Sequence, residues 1–367
     1  MNVLIVTEPD DIHAVLVKLA LEAKEVNCDL LFSADMPSKQ KNSISISNDN
    51  FSWRTKNSML DSISNYDKNL DAIWWRRARK PHVPQTLHKD DIMFVRKENT
   101  IYHDSIPYIL DNKAWWVNPV SSHQKTRSKI IQLQIAQQCG FKLPVTLISN
   151  SPEEIRDFIS TNINVIYKPF GPQFWSESDG VKVIYTNKIS LDDLPSDSML
   201  QMVPGIYQQY IEKKYELRVT CFGSTISAVK IDSQIHSSGI TDWRKIPGHQ
   251  LPLAEIELPK VIKDKIIQFM KKIGVVFGCF DFIVTPEEEI IFLEINEQGQ
   301  FLWVEQFLPD LYYLDMFSEF LISKNFDFTW SKESKSISAN DLDQKAFEIV
   351  KENMAKHVYL NQIKRVG

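Results

Sequence analysis

The feature that most constrains the fold is a pair of apolar segments in the second half of the chain, each carrying acidic or amide side chains. Residues 278–284 read GCFDFIV and residues 290–296 read IIFLEIN, with a short proline-containing turn between them. Two apolar runs of this length joined by a turn predict a β-hairpin. Because alternate residues of a strand share a face, Asp281, Glu294 and Asn296 are predicted to project from one face of that hairpin.

These three side chains offer only oxygen donors, which is the set that magnesium prefers. Magnesium is commonly held by one or two carboxylates while phosphates and water complete its shell. The alternative is that the three residues sit on a solvated sheet face, but charged residues inside continuous apolar runs rarely arise that way. The hairpin therefore predicts a magnesium site that also contacts a nucleoside triphosphate.

Composition limits the remaining classes of function. The chain has 367 residues, 43% hydrophobic and 24% charged, so it can bury a large core in two or three packed units. Its net charge of −5 gives no broad attraction to nucleic acid or anionic lipid, so neither is an expected partner. The first apolar run is too short for a secretory or membrane-spanning segment.

The cysteines are scattered, with no C-x-x-C pair and no histidine at zinc spacing. This pattern argues against disulfides and structural zinc, and it indicates a reducing, cytoplasmic location. We interpret the cysteines as small core residues, and the sequence leaves a catalytic cysteine open as the alternative. The four cysteines are Cys28, Cys139, Cys221 and Cys279.

Hydrophobic periodicity predicts an α/β chain that begins with a strand, a helix and a second strand. The predicted N-terminal elements are strands at 3–6, 28–32 and 70–75, a helix at 11–24 and an edge strand near 43–47. Asn118 and Pro119 mark a boundary, and one continuous helix is expected over 121–139, with Gly140 as its C-cap. A strand at 142–148 should follow.

A basic cluster at 76–80 (RRARK) follows the third predicted N-terminal strand. Open α/β sheets commonly place their ligand crevice at this end of a strand, so the cluster could bind an acidic substrate. The equal alternative is a solvated turn whose charges lie in water.

Lys129, Lys168, a segment at 208–218 and the Asp281 hairpin together resemble the nucleotide and metal site of the ATP-grasp ligases, over roughly 118–306. The resemblance implies an α/β (α+β) ATP-grasp fold with an N-terminal α/β pre-ATP-grasp domain, a small central domain and a C-terminal domain. The implied divisions are 1–117 for the N-terminal domain, 118–205 for the central domain, 206–325 for the C-terminal domain with the metal site, and 326–367 for a helical extension.

The amino-acid sequence resembles that of the microviridin-type graspetide synthetases in four segments, 209–219, 231–234, 242–244 and 294–303. Members of that family macrocyclise ribosomal precursor peptides through ω-ester or ω-amide links between Asp or Glu side chains and Thr, Ser or Lys side chains. They typically read Asn-Pro-Asn-Gly-Gln where residues 296–300 of this chain read Asn-Glu-Gln-Gly-Gln. The asparagine is kept and the proline-fixed turn is lost, as expected of a divergent subgroup.

The resemblance implies ATP and Mg²⁺ as cofactors, with two ions. Lys129 and Lys168 would contact the phosphates as compact positive charges. The adenine would lie against the backbone near 209–211, and Glu216 would bind the ribose hydroxyls. The implied nucleotide-binding residues are Lys129, Lys168, Gln209, Tyr210, Ile211 and Glu216.

Arg218 and Arg244 are the implied catalytic pair, because a guanidinium can match the charge of an acyl-phosphate with two hydrogen bonds. Lys213 and Lys214 are expected to face solvent. Residues 171–176 occupy the place of a mobile loop that covers the phosphates in the family.

Two smaller questions stay open in the sequence. Arg244 could instead form an exposed salt bridge with Asp242, although Trp243 between them favours an ordered loop. His236 is a candidate for deprotonating the acceptor, but an ordinary loop histidine is the preferred interpretation.

The implied partner is a ribosomal precursor peptide, leader and core, and a homodimer is expected only by analogy with ATP-grasp relatives. One alternative keeps the chemistry and changes the substrate, as in a ligase that adds an amino acid to a small molecule or a protein tail. The other alternative is an inactive module that binds a nucleotide or a peptide.

Overall fold

The computed structural model describes residues 1–57, 63–65, 70–84, 86–110, 114–171, 173–177, 180–184, 187–239, 243–246, 250–333 and 336–360. Strands and helices alternate along the chain, which confirms the predicted α/β class. Across the described ranges, no helix combines the length and the apolar character needed to cross a bilayer.

The first strands form an N-terminal sheet and a separate small antiparallel sheet. They are β1 (Asn2–Thr7), β2 (Asn27–Phe32), β3 (Gln40–Ile46), β4 (Phe51–Asn57), β5 (Ile63–Asn65), β6 (Ala72–Trp75) and β7 (Trp115–Val117). Strands β2-β1-β6-β7 are parallel, whereas β3-β4-β5 are antiparallel with β3 at the edge, as predicted.

The remaining strands form the sheets that position the site. They are β8 (Thr146–Ser149), β9 (Val165–Lys168), β10 (Gln173–Glu177), β11 (Gly180–Ile184), β12 (Asn187–Ile189), β13 (Gly205–Gln209), β14 (Tyr215–Phe222), β15 (Thr225–Ile231), β16 (Leu253–Glu255), β17 (Phe277–Val284) and β18 (Ile290–Asn296). Strands β12-β9-β13-β8 form a central antiparallel sheet, and β16-β15-β14-β17-β18 form a five-stranded antiparallel sheet. Strands β17 and β18 confirm the predicted hairpin.

Helices cover these sheets. They are α1 (Ile12–Ala23), α2 (Ile92–Leu110), α3 (His123–Arg127), α4 (Lys129–Gln138), α5 (Pro152–Thr161), α6 (Asp197–Met202), α7 (Lys260–Ile273), α8 (Leu302–Phe307), α9 (Tyr313–Ser323) and α10 (Ala339–Lys356). Helix α7 buries Ile262, Ile266, Phe269 and Ile273, which recur every three or four residues and therefore share one face. Phe269 packs against Phe280 of β17, with ring centroids 5.4 Å apart.

A second core joins the N-terminal sheet to the five-stranded sheet and to the C-terminal helices. Trp74 of β6 packs against Phe317 of α9, with centroids 4.5 Å apart. Phe317 in turn contacts Phe277 of β17 at 5.1 Å. The C-terminal helix α10 also packs on this core through Ala346 and Val350. Residues from the N-terminal sheet and from the C-terminal helices therefore belong to the same hydrophobic core.

The single helix expected over 121–139 is wrong, because the chain breaks at Ser128. Ser128 is extended (φ −89°, ψ 106°), and its hydroxyl accepts a hydrogen bond from the Ile131 amide, so it acts as the N-cap of α4. Lys129 is therefore the first residue of α4. The predicted strand at 142–148 is shorter than expected and begins at Thr146. The C-cap of α4 is Cys139, one residue before the predicted Gly140, and Gly140 ends the helix with a φ of +72°.

The basic cluster at 76–80 divides between the interior and the surface: its three arginines form ion pairs with buried carboxylates, whereas Lys80 is exposed, so a turn whose charges all lie in water is wrong. Arg76 is fully buried, and its Nε donates to Asp11 Oδ2 at 2.6 Å. Arg77 and Arg79 both pair with the buried carboxylate of Glu8, each through Nε at 2.6 Å. The C-terminal edge of the N-terminal sheet is thus held by ion pairs.

The buried His13 of α1 should make stability depend on pH. Burial and then the neighbouring Arg76 charge lower the pKa of His13 from 6.5 to about 3. Between these values the unfolded chain binds a proton that the folded chain excludes. Stability should therefore fall by about 1.4 kcal/mol per pH unit as the pH drops below 6.5. In urea titrations at pH 7 and pH 5, His13→Gln should lose clearly less stability than the wild type.

The exposed His88 provides the matched control, since its side chain is 67% exposed. His88→Gln should keep the wild-type difference between the two pH values. Equal pH dependence in the wild type and in His13→Gln would contradict the assignment to His13.

Candidate functional site

A cavity of about 440 Å³ lies between the central sheet and the five-stranded sheet. It brings together every candidate site residue named from the sequence except Arg218, which lies directly behind Asp281. The candidates that line it are Lys129, Lys168, Gln209, Tyr210, Ile211, Glu216, Arg244, Asp281, Glu294 and Asn296.

The acidic hairpin presents its oxygen donors to this cavity. Asp281 of β17 pairs directly with Glu294 of β18, and Cys279 pairs with Asn296. Directly paired residues share a face of an antiparallel sheet, so the three oxygen-bearing side chains are neighbours. The register shifts just after Asp281, which marks an irregularity in β17 at the site itself. The predicted arrangement of the three donors on one face is confirmed.

The amide of Asn296 is oriented by the turn that follows it. Its Oδ1 accepts a hydrogen bond from the Gln298 amide at 3.0 Å, which is a local side-chain turn. Position 299 requires glycine for a steric reason. A Cβ there would lie 2.6 Å from the Cys279 sulfur and 3.0 Å from Arg218 Nη2. The backbone of this turn can therefore approach β14 and β17 closely only with glycine at that position.

Two arginines converge on the Asp281 carboxylate. Arg218 Nη1 donates to Oδ1 at 2.9 Å, and Arg244 Nη2 lies 3.4 Å from Oδ2. The Arg218 side chain is 6% exposed and that of Arg244 is 48% exposed, so only the first is enclosed. Burial alone lowers the pKa of Arg218, but the charge and hydrogen bond of Asp281, together with the nearby Cys279 and Glu294, outweigh burial and raise it. Arg218 therefore stays cationic inside the fold.

Arg244 stands on an ordered aromatic support. The Trp243 indole stacks on Trp303 with centroids 5.2 Å apart and an interplanar angle of 26°. Asp242, the alternative partner of Arg244, lies outside the described residues. The contact with Asp281 and the position on the cavity favour the site interpretation over a remote surface salt bridge.

Two lysines face the hairpin across the cavity. Lys129 Nζ is 3.6 Å from Glu294 Oε2 and donates to the Pro169 carbonyl at 3.4 Å. Lys168, the last residue of β9, donates to Gln208 Oε1 at 2.8 Å. A pair of ammonium groups opposite two carboxylates is the charge pattern needed to hold a polyanion together with a divalent cation.

The expectation that Lys213 faces solvent is wrong. Its side chain is 3% exposed and pairs with Glu216 at 2.5 Å, and both residues line the cavity. Lys214 does face solvent and pairs with Glu288. The sequence could not predict the pairing of Lys213 with Glu216. Residues three apart meet regularly on a helix, whereas here the chain between them leads into β14.

Sequence reasoning also missed Gln132 of α4, which is buried against the hairpin. Its amide accepts from the Ile295 N–H at 2.9 Å and donates to the Ile295 carbonyl at 3.0 Å. Ile295 lies between Glu294 and Asn296, and Gln132 lies one turn after Lys129. This reciprocal bond therefore fixes the lysine helix against the donor strand. Other glutamines on α4 are exposed, so composition could not single Gln132 out.

Asn118 performs a similar task at the other end of the hairpin. Its Oδ1 accepts from the Val276 and Phe277 amides at 2.8 Å each. Its Nδ2 donates to the carbonyls of Phe277 and Glu297 at 2.9 and 3.0 Å. One buried amide thus joins the start of β17 to the turn after β18. The sequence marked Asn118 only as a boundary.

Glu297, which replaces the proline of the related motif, is buried and faces α3. Burial raises its pKa to about 7, against the hydrogen bond from Thr126 and the charge of Arg127. The replacement therefore points into the protein and away from the cavity.

Other candidate chemistries find no support at this site. His236 hydrogen bonds to Gln250 at 3.0 Å and does not line the cavity. The cysteines are free and buried, and burial raises the pKa of Cys28 and Cys279, which disfavours the nucleophilic thiolate. The predicted covering loop spans 171–176. Its residues from 173 onward belong to β10, and residue 172 lies outside the described residues.

The donor set fits magnesium held jointly with phosphates. In the part of the chain that the structure describes, no three His, Cys, Asp or Glu side chains group closely enough to hold a metal by themselves. Two carboxylates and one amide oxygen remain, which suits an ion whose shell is completed by phosphate oxygens and water.

Comparisons with known proteins identify the fold. No protein-family model and no curated protein matches the sequence. A RiPP-associated ATP-grasp ligase from Chryseobacterium gregarium, solved with ADP and a leader and core peptide, is 27% identical with a TM-score of 0.79, covering 88% of this chain and 97% of its own. Macrocyclase MdnC from Microcystis aeruginosa MRC, bound to precursor peptide MdnA, is 27% identical with a TM-score of 0.76, covering 88% and 100%.

A more distant structure agrees on the fold alone. The ATP-grasp ligase PsnB, complexed with a phosphomimetic variant of its minimal precursor, Mg and ADP, is 18% identical with a TM-score of 0.66, covering 88% of this chain and 98% of its own. The predicted ATP-grasp fold is confirmed by these matches.

The Gln132 contact can be tested by removing its hydrogen bonds at nearly constant volume. Gln132→Met should lower the free energy of unfolding by about 1–3 kcal/mol, because the buried Ile295 amide and carbonyl lose their partner. Gln134→Met on the exposed side of α4 is the matched control and should stay within about 0.5 kcal/mol of the wild type. Urea titrations measure both, and equal stability of the two variants would contradict the role of Gln132.

Proposed function

We propose that this chain, an ATP-grasp enzyme by fold and by site, uses ATP and Mg²⁺ to close ω-ester or ω-amide rings in a ribosomal precursor peptide. The observation that carries the proposal is the face of Asp281, Glu294 and Asn296 opposite Lys129 and Lys168 in one cavity. Similarity to two peptide-bound ATP-grasp structures, at 27% identity over 88% of the chain, supports the substrate class.

The metal would be held by Asp281, Glu294 and Asn296, and the family resemblance supports two ions. Bound magnesium supplies positive charge to the phosphate oxygens during transfer. Gln132 keeps this donor strand in register with Lys129, and Asn118 fixes the turn after Asn296. Both amides are therefore positioning residues.

The nucleotide would lie with its phosphates between Lys129 and Lys168 and its adenine against the backbone at 209–211. Glu216 would accept hydrogen bonds from the ribose hydroxyls. Lys213 holds the Glu216 carboxylate at 2.5 Å inside the cavity and so fixes the direction of its lone pairs. Preorganised groups of this kind bind without paying a reorganisation cost on binding.

The reaction joins two substrate groups and needs no protein nucleophile. A carboxylate oxygen of a substrate Asp or Glu attacks the γ-phosphorus, the bond from that phosphorus to the β–γ bridging oxygen breaks, and ADP leaves. A substrate hydroxyl or amine then attacks the acyl carbon, and inorganic phosphate leaves with the broken C–O bond while the acceptor proton passes to phosphate or solvent. Arg218 and Arg244 would stabilise the charge on the acyl-phosphate oxygens.

Several finer predictions belong to the same proposal. The functional divisions are 1–117, 118–205, 206–325 and 326–367, and the partner is a precursor peptide with leader and core. Free, buried cysteines support the cytoplasmic location. A small-molecule or protein-tail ligase and an inactive binding module are kept as outcomes of the test below.

The central experiment compares two glutamates of the same hairpin. With the precursor peptide encoded beside the gene, wild-type protein should form ADP and remove one water from the peptide for each ring closed, measured by mass spectrometry. Glu294→Gln should lower ADP formation at least about a hundredfold, since a charged metal ligand is lost. Glu289→Gln, on the exposed turn, should retain wild-type rates.

The outcomes separate the candidate functions. ADP formed without peptide mass loss, but with an added amino acid, would favour the small-molecule or protein-tail ligase. No magnesium-dependent ADP formation under any condition would favour the binding module and contradict the proposal.

The adjacent lysines Lys213 and Lys214 provide a test of the proposed ATP-binding site. Lys213→Met should raise the KM for ATP about tenfold with little change in kcat, because the Glu216 carboxylate loses the partner that holds it in place for the ribose hydroxyls. Lys214→Met removes only an exposed pair and should leave the KM unchanged. Equal KM values for the two variants would exclude Lys213 from the site.

A further inference from the structure

Helix α8 is too short to hold its own position, yet it carries the aromatic support of Arg244. It has only 6 residues, and isolated helices of fewer than about 12 residues are marginal in water. Its Trp303 stacks on Trp243, the residue before Arg244, and Arg244 Cζ lies 5.3 Å from the centroid of the Trp243 ring. The position of α8 must therefore be fixed by contacts with other elements.

The Trp303 indole is also tied to the second arginine of the site. Its Nε1 donates to the Gln300 carbonyl at 3.1 Å, and Arg218 Nη2 donates to the same carbonyl at 3.0 Å. One indole therefore joins the enclosed arginine to the segment that bears the exposed one. A shift of α8 would change the position of Arg244 relative to Arg218.

Glu305 anchors α8 to the starts of the two C-terminal helices. Its side chain is fully buried, and the carboxylate accepts three hydrogen bonds. The donors are the Leu314 amide at 2.7 Å, the Ala339 amide at 2.7 Å and the Ser338 hydroxyl at 3.0 Å. Amides in the first turn of a helix have no partner within that helix, and the positive end of the helix dipole favours a carboxylate. Glu305 meets the first turns of α9 and α10 at once and so fixes α8 to both.

A second buried carboxylate makes similar hydrogen bonds from a different helix. Asp315 of α9 accepts from the Ile337 amide at 3.0 Å and from Trp330 Nε1 at 2.8 Å. It also pairs with Lys24 at 2.8 Å. Asp315 therefore stabilises the same C-terminal region, whereas the hydrogen bonds of Glu305 start from α8. The two carboxylates form a matched pair for a test.

We propose that Glu305 is a positioning residue that holds α8 where Trp303 supports Arg244. This inference rests on the proposed function, in which Arg244 stabilises the acyl-phosphate. Two of the three donors to Glu305 belong to the start of α10, so the C-terminal helix becomes part of the support of the active site. A purely structural Glu305 would affect stability alone, whereas a positioning Glu305 also affects kcat.

The kinetic test compares Glu305→Gln with Asp315→Asn in the full chain. Each change replaces a buried carboxylate by an amide whose NH2 group cannot accept a hydrogen bond, so both variants should have lower melting temperatures. Glu305→Gln should lower the kcat for ring closure about tenfold and leave the KM for ATP within about twofold of the wild type, because Arg244 acts on the acyl-phosphate. Asp315→Asn should keep the wild-type kcat.

A double-mutant cycle tests whether Glu305 acts through Arg244. Arg244→Lys should lower kcat by itself, since an ammonium lacks the two-pronged hydrogen bonding of the guanidinium. Adding Glu305→Gln to Arg244→Lys should then lower kcat by no more than about twofold, because the guanidinium that Glu305 positions is already absent. Losses that multiply in full would overturn the route through Arg244.

A spectroscopic test is independent of activity. The circular dichroism of the wild type minus that of Trp303→Leu gives the signal of the stacked pair Trp243 and Trp303. Glu305→Gln should lose most of this signal because α8 is released, and Asp315→Asn should keep it.

A milder variant serves if Glu305→Gln does not fold. Ser338→Ala removes one of the three hydrogen bonds and should lower kcat about threefold, with the same pattern in the other measurements. Equal kcat for Glu305→Gln and Asp315→Asn, or an unchanged indole signal in Glu305→Gln, would overturn the proposal. A wild type that forms no ADP with magnesium would instead reject the proposed function, and the indole signal would still decide whether Glu305 holds α8.

Discussion

The site depends on the negative charge of Asp281, which requires a positively charged partner inside the fold. Asp281 sits in a strand whose residues are all buried, and an isolated carboxylate there would be strongly unfavourable. Strand β14 provides the compensation, because Arg218 stands directly opposite Asp281 in the antiparallel register and donates to it at 2.9 Å. A buried pair is weak evidence of stability, but removing one partner is costly. The register of β14 with β17 is therefore tied to the site.

The elements around this ion pair are joined by hydrogen bonds between buried side-chain amides and the backbone. Gln132 joins α4 to β18, and Asn118 joins the start of β17 to the turn after Asn296. Amide side chains suit this task because each offers a donor and an acceptor that match a peptide group. Both side chains are fully engaged in these backbone hydrogen bonds, so they position β18 and the turn that follows it.

The sequence predicted the parts of the site that follow from strand periodicity, and it failed where tertiary packing decides. Asp281, Glu294 and Asn296 could be placed on one face because the period of a strand is fixed. Ser128 ends one helix and starts another, a break that helical periodicity across 121–139 conceals. Lys213 is enclosed beside Glu216 where the chain enters β14, which no local pattern shows.

The departure from the related Asn-Pro-Asn-Gly-Gln motif has a physical account in this fold. A proline would fix the backbone after Asn296 by its ring. Here the turn is fixed by hydrogen bonds instead, from Asn118 to the Glu297 carbonyl and from Gln298 to Asn296 Oδ1. The Glu297 side chain turns inward toward α3, so the altered residue does not enter the cavity. The change affects how the turn is held and leaves the Asn296 amide in place, so Asp281, Glu294 and Asn296 still share one face in a chain with a different motif.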